Sequence, residues 1–101
     1  MSSAASDDVA GLLTYALSAS GLDAALALDH LIDDALRSLE TLAHRGRVVP
    51  ELAARGISTY RELVVSPYRI VYRIVRQEVW VLVVADGRRD FDALLFERAS
   101  R

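Results

Sequence analysis

Apolar positions along the chain change their period near the middle. Val9, Leu12, Leu13, Ala16 and Leu17 fall at offsets i, i+3, i+4, i+7 and i+8, one stripe of an amphipathic helix running from about Asp7 to Ala19. Ser6 is positioned to cap it, Asp7 and Asp8 would then lie in its first turn, and Gly21 ends it. The same spacing returns in Leu28, Leu31, Ile32, Ala35, Leu39, Leu42 and Ala43, which predicts a second helix from Asp23 to His44, stopped by Gly46. So short a link makes the two an antiparallel hairpin. From Arg47 to Gly56, Pro50 and a glycine leave room for one turn of helix at most.

Beyond Thr59 the chain turns β-branched and aromatic in three runs: Thr59 to Val65, Arg69 to Val75 and Val79 to Ala85. Ser66-Pro67 and Arg76-Gln77-Glu78 separate them, lengths that suit an antiparallel meander. Alternation in the second run puts Arg69, Val71, Arg73 and Val75 on one face and Ile70, Tyr72 and Ile74 on the other, the face expected to meet the hairpin. The third run, Val79-Trp-Val-Leu-Val-Val, is apolar at both parities, as for a strand covered on both sides or central in its sheet. Asp86-Gly-Arg-Arg-Asp reads as a turn, and Phe91 to Ala99 as a short terminal helix. The fold class is therefore α+β: an N-terminal helical hairpin on a small antiparallel sheet.

A length of 101 residues allows one domain, and 52% hydrophobic against 26% charged residues is the balance of a chain that folds. No apolar run is long enough to span a membrane and no signal-peptide pattern opens the chain, so the cytoplasm is the expected compartment. The absence of cysteine removes disulfides, thiolate nucleophiles and zinc ribbons together.

Net charge is −2, but it is unevenly spread. Residues 1–44 carry seven acids and one base, Arg37, whereas residues 45–101 carry eleven bases and seven acids, giving −6 and +4. Every base is arginine, a planar fork suited to phosphate or carboxylate and useless as a general base. A basic half points to an anionic partner, nucleic acid or an acidic protein segment.

Catalytic and metal patterns are sparse. His30 and His44 lie fourteen residues apart on one helix, about 21 Å at 1.5 Å per residue, too far to share a metal. There is no Gly-x-Ser-x-Gly elbow, Gly87 stands outside any phosphate-loop pattern, and Asp33 and Asp34 read as a solvated helix face. No metal and no cofactor is expected. What remains is Arg61, Arg69 and Arg73 on strands with Arg88 and Arg89 at the last turn, a set able to form one cationic patch on the sheet face away from the helices. The plainer alternative pairs them with Glu62, Glu78, Asp86 or Asp90 as soluble surface.

The order Gly46-Arg-Val-Val-Pro-Glu-Leu, Tyr60-Arg-Glu-Leu, Pro67-Tyr-Arg-Ile-Val-Tyr-Arg-Ile, Val79-Trp-Val-Leu-Val-Val, Gly87-Arg-Arg-Asp resembles the RelE/ParE superfamily of toxins from type II toxin-antitoxin systems, over nearly the whole chain. The resemblance implies a growth-inhibiting, plasmid-stabilising toxin held by a cognate antitoxin, as a homodimer or a toxin-antitoxin heterotetramer. RelE-like members cut messenger RNA on the ribosome. Arg69 and Arg89 match two of their catalytic arginines, but Leu95 stands where they often carry a tyrosine, and their lysines are missing. ParE-like members poison DNA gyrase without a nuclease site, and Arg-Val-Val-Pro-Glu-Leu and Tyr-Arg-Glu-Leu resemble that branch more. The resemblance therefore implies a gyrase poison; the alternatives are a ribosome-dependent endoribonuclease or an inactive copy that only binds antitoxin. Arg61, Arg69, Arg73, Arg88 and Arg89 are the expected contacts with target or antitoxin. Family members begin with a strand that Met1–Ser6 is too short to supply, so a shortened copy, or a start farther upstream, is expected, with the edge of the neighbouring strand left open to dimerisation or to an antitoxin strand.

Overall fold

A computed structural model describes residues 1–100. Its elements are α1 (Ser3–Ser20), α2 (Leu22–Thr41), β1 (Arg47–Val48), α3 (Pro50–Ala53), β2 (Tyr60–Val65), β3 (Tyr68–Val75), β4 (Glu78–Asp86) and α4 (Phe91–Ala99). The four strands form one antiparallel sheet in the order β1-β2-β3-β4. The expected α+β class, the helical hairpin, the meander and the terminal helix are all present.

Several local expectations are corrected. Helix α1 starts earlier, because Ser2 and not Ser6 caps it, its side chain accepting from the Ala5 N–H at 3.1 Å. Asp7 and Asp8 consequently sit past the first turn, and Asp8 is free to reach the sheet. Helix α2 ends at Thr41, before His44. Gly46 is not its cap: a Cβ there would lie 2.5 Å from the Tyr72 hydroxyl and 2.7 Å from the Glu62 carbonyl, so glycine is required by close packing. The Tyr72 hydroxyl uses that approach to accept from the Gly46 N–H and donate to the Ala43 carbonyl. Strand β1, two residues long, lies inside the segment read as a connection.

Strand β4 is an edge strand, not a central one. Its two-sided apolarity comes from cover on both faces and from a bulge. Val71 faces Val83 while Tyr72 faces Val81, so Leu82 has no opposite number and the inward parity changes across it. Val81 and Val84 thus both reach the first core, with Leu63, Ile70, Tyr72, Ala5, Leu28, Ile32 and Leu39. Val71, Val83 and Ala85 build a second core on the other face with Val49, Leu52, Phe91 and Leu95. Helices α3 and α4 therefore cover much of the sheet face expected to be open.

The outer edge of β4 is also not bare. Val81 O accepts from the Ser2 N–H at 3.1 Å, the Val84 N–H donates to Asp8 Oδ2 at 3.0 Å, and Leu82 O accepts from Arg98 at 2.9 Å. At the opposite side of the sheet β1 covers only Glu62 and Arg61, leaving the rest of the outer edge of β2 without a partner strand.

The β3–β4 turn holds Arg76 and Gln77 at φ of 52° and 71°. Left-handed backbone costs a side chain about 1 kcal/mol or more per residue, and Asn-Gly is the pair that two-residue hairpins favour. Arg76→Asn with Gln77→Gly should stabilise the fold by about 1 kcal/mol, read as a higher urea midpoint at unchanged slope.

Candidate functional site: a buried guanidinium

The motif residues that carry the family resemblance converge on one side chain. Arg69 leaves β3 on the face covered by α3 and α4, and its side chain is only 13% exposed. Nε donates to Glu62 Oε1 at 2.8 Å, and NH1 and NH2 donate to the two oxygens of Glu51 at 2.6 and 2.7 Å. Glu51 is placed by Pro50, whose fixed φ suits the first position of α3. Glu62, 1% exposed, is held on its other oxygen by Arg47 at 2.7 Å. The guanidinium carbon stacks 4.0 Å from the centre of the Phe91 ring. Gly87 closes the far side, where a Cβ would sit 2.5 Å from Arg69 Cδ. Pro-Glu-Leu, Arg-Glu-Leu, Tyr-Arg-Ile and Gly-Arg-Arg-Asp thus meet in a knot of two arginines and two glutamates whose charges balance.

Electrostatics follow from these contacts. Hydrogen bonding to Glu51, with Glu62 adding to it, raises the Arg69 pKa against the opposing effect of burial. The same bond from Arg69 lowers the Glu51 pKa below its ordinary 4.5. A depressed carboxylate contributes stability that is complete above its unfolded pKa and is lost as pH falls through its folded pKa. Glu51→Gln should therefore be less stable than the parent at pH 7, by about 1 kcal/mol after solvent screening. That gap should close as pH falls below 4.5, the carboxylate's ordinary value, as denaturant melts across the range would show.

The other expected contacts lie elsewhere. Arg61 stands opposite Tyr72, on the hairpin face, and its NH1 donates to the Gly46 carbonyl at 2.8 Å. Arg73 is exposed, two rows along β3 from Arg69, with no ion pair among the described residues. Arg88 is exposed and pairs with Asp86 at 2.7 Å, a contact whose hydrogen bonds take the Asp86 pKa down to about 2. Arg89 is exposed. The five do not share one surface: Arg69 is enclosed, Arg61 faces the other way, and Arg73 lies at the opposite end of its strand from the Arg88-Arg89 turn. Of the pairings weighed from sequence, those with Glu62 and Asp86 form. Glu51 and Phe91 were missed as partners of Arg69; the only signal was the place of Glu51 within one family motif and of Phe91 directly after another. Leu95, which the resemblance sets at the position where RelE-like members often carry a tyrosine, is fully buried in the second core. No cluster of three metal-ligating side chains occurs among the described residues.

A groove of about 650 Å³ runs between α2 and β2, its apolar lining of Leu31, Ala35, Leu63 and Val65 interspersed with Asp34, Arg45 and the Arg47-Glu62 pair. No helix among the described residues is long and apolar enough to cross a membrane.

No curated protein and no solved structure matches the chain. A family model does: that of the ParE toxin of the type II toxin-antitoxin system parDE, over residues 1–91. The match spans both helices of the hairpin, the whole sheet and the start of α4, with every residue that encloses Arg69. The chain belongs to the ParE toxin family of type II toxin-antitoxin systems.

Proposed function

We propose that this toxin, one domain over residues 1–101, arrests growth in the cytoplasm by binding DNA gyrase rather than by cutting message. The observation that carries the reading is the state of Arg69. All three of its nitrogens bond the carboxylates of Glu51 and Glu62 and its side chain is only 13% exposed, so its charge is already answered inside the fold rather than presented to a phosphorane. Buried Leu95 can neither give nor take a proton, and the chain has no lysine. Arg89 remains exposed, but one cation without an acid-base partner is not a nuclease site.

The family supplies an antitoxin partner. The α2–β2 groove suits its seat: Val64 is exposed on a strand whose outer edge is covered only by the short β1, apolar side chains of α2 and β2 line the groove, and exposed Arg45 lies among them for a carboxylate. Charge pairing would speed the encounter and apolar anchors would slow release.

Induction of the chain alone, with plasmid supercoiling and message ends followed together, tests the target. Loss of negative supercoiling with intact messages is the expected result. Codon-periodic cuts would transfer the assignment to ribosome-dependent cleavage, and normal growth at full expression would mark an inactive, antitoxin-binding copy.

A further inference from the structure

Beyond the knot, the same sheet face carries a second arrangement that the gyrase reading leaves unused. Register places Tyr60 opposite Arg73 and Arg73 opposite Trp80, so one residue from each of β2, β3 and β4 forms a lateral row. Directly opposed side chains share a face and lie about 5 Å apart at Cβ. One row farther in, Val71 and Val83 are fully buried under the helices. At this row the cover ends: Arg73 is exposed and Trp80 is 46% exposed. Tyr60 is half-buried and packs against the second core, as does Phe96, whose ring carries Arg55 at 4.2 Å.

We propose that the Tyr60-Arg73-Trp80 row is the face by which the toxin grips its protein target. The matching segment of that target offers a carboxylate to Arg73 and apolar side chains to the two rings. The inference rests on the protein-target reading above and names its contact surface. Tryptophan, tyrosine and arginine are the residue types that dominate binding energy at protein interfaces, and here they are adjacent on a rigid sheet. Trp80 is the only tryptophan of the chain, placed at the surface where burial would otherwise favour it. Arg73 has no ion pair among the described residues, so its charge is available to a partner. A nucleic acid strand fits the row less well. Tracking a phosphate backbone requires a series of cations, whereas the row holds one, and Glu78 lies two residues before Trp80 on the same face of β4.

Arg73→Glu and Trp80→Ala alter exposed side chains, and circular dichroism checks that each variant folds. Binding of purified DNA gyrase by the parent chain, each variant and Arg37→Glu, the same charge reversal on α2, decides the matter. The expected result is a loss of about tenfold or more in affinity for R73E and W80A, with Arg37→Glu close to the parent. Parent-like binding by R73E and W80A removes this face and leaves the gyrase reading standing. Failure of the parent chain itself to bind gyrase removes both. Retention of a labelled oligouridylate by the parent and its loss in R73E would make the row a nucleic-acid platform and overturn the proposal.

Discussion

Arg69→Ala is expected to cost about 3 to 5 kcal/mol of folding free energy, a large part of the ~5 to 15 kcal/mol that holds a domain of this size together. The magnitude comes from what is stranded rather than from what is removed. Glu62 is 1% exposed, and without Arg69 its charge would be answered only by Arg47, whose side chain is 61% exposed and partly screened by water. Glu51 would lose both of its charge-assisted bonds at once. Arg69→Lys is also unfavourable, because a single ammonium cannot bridge two carboxylates as the planar fork does. Combining Arg69→Met with Glu51→Gln and Glu62→Gln should restore at least half of the lost stability, since neutral side chains remove the stranded charges. Urea melts of the three variants test this, and an Arg69→Ala protein that melts like the parent would show that the knot does not hold the sheet to α3. The consequence for function is direct. Loss of growth arrest in an Arg69 variant reports an unfolded toxin, whereas Arg89→Ala changes an exposed residue and isolates contact from folding.

The period change, the helical hairpin and the three strands were legible in the sequence because the helices bury regular apolar stripes and the strands are β-branched runs bounded by turn residues. What was not legible lies where tertiary contacts replace local rules. Leu82 breaks the alternation of β4 with a bulge, so an edge strand carries the apolar pattern of a central one. Gly46 looks like a helix stop and is in fact the clearance for Tyr72. Strand β1 is two residues long, too short to show a period. The arginines were legible as a set but not as individuals. Alternation correctly placed Arg69 and Arg73 on one face, yet nothing local tells that α3 folds over the first and leaves the second in water. Centring the hairpin on Arg76-Gln77 pairs Arg73 with Trp80 by counting outward, so the register of the aromatic row follows from the turn alone. Asp8 and Arg98 are 90 residues apart, and no spacing rule connects them.

Cutting that distant pair is expected to have the second-largest effect, on association as well as on stability. Arg98 sits in the last turn of α4 with a side chain 9% exposed, and its two terminal nitrogens donate to the two oxygens of Asp8 at 2.7 and 2.9 Å. The hydrogen bond to Asp8 raises the Arg98 pKa. Between them the two side chains occupy the Val84 N–H and the Leu82 carbonyl on the outer edge of β4. An unguarded edge is a template for another strand, so this ion pair does the work that an added strand would do. Arg98→Ala leaves Asp8 facing the sheet without its cation and frees the Leu82 carbonyl, at a cost of about 3 kcal/mol. Asp8→Asn keeps an oxygen for the Val84 N–H and should cost less, about 1 to 2 kcal/mol. In Arg98→Ala the Val84 amide should exchange faster, and sedimentation should show association rising with concentration beyond that of the parent chain. The Asn variant should remain close to the parent in both measurements. Equal Val84 protection and equal sedimentation in Arg98→Ala and the parent would mean that the edge is kept closed by the Ser2–Val81 contact and the fold of α1 alone.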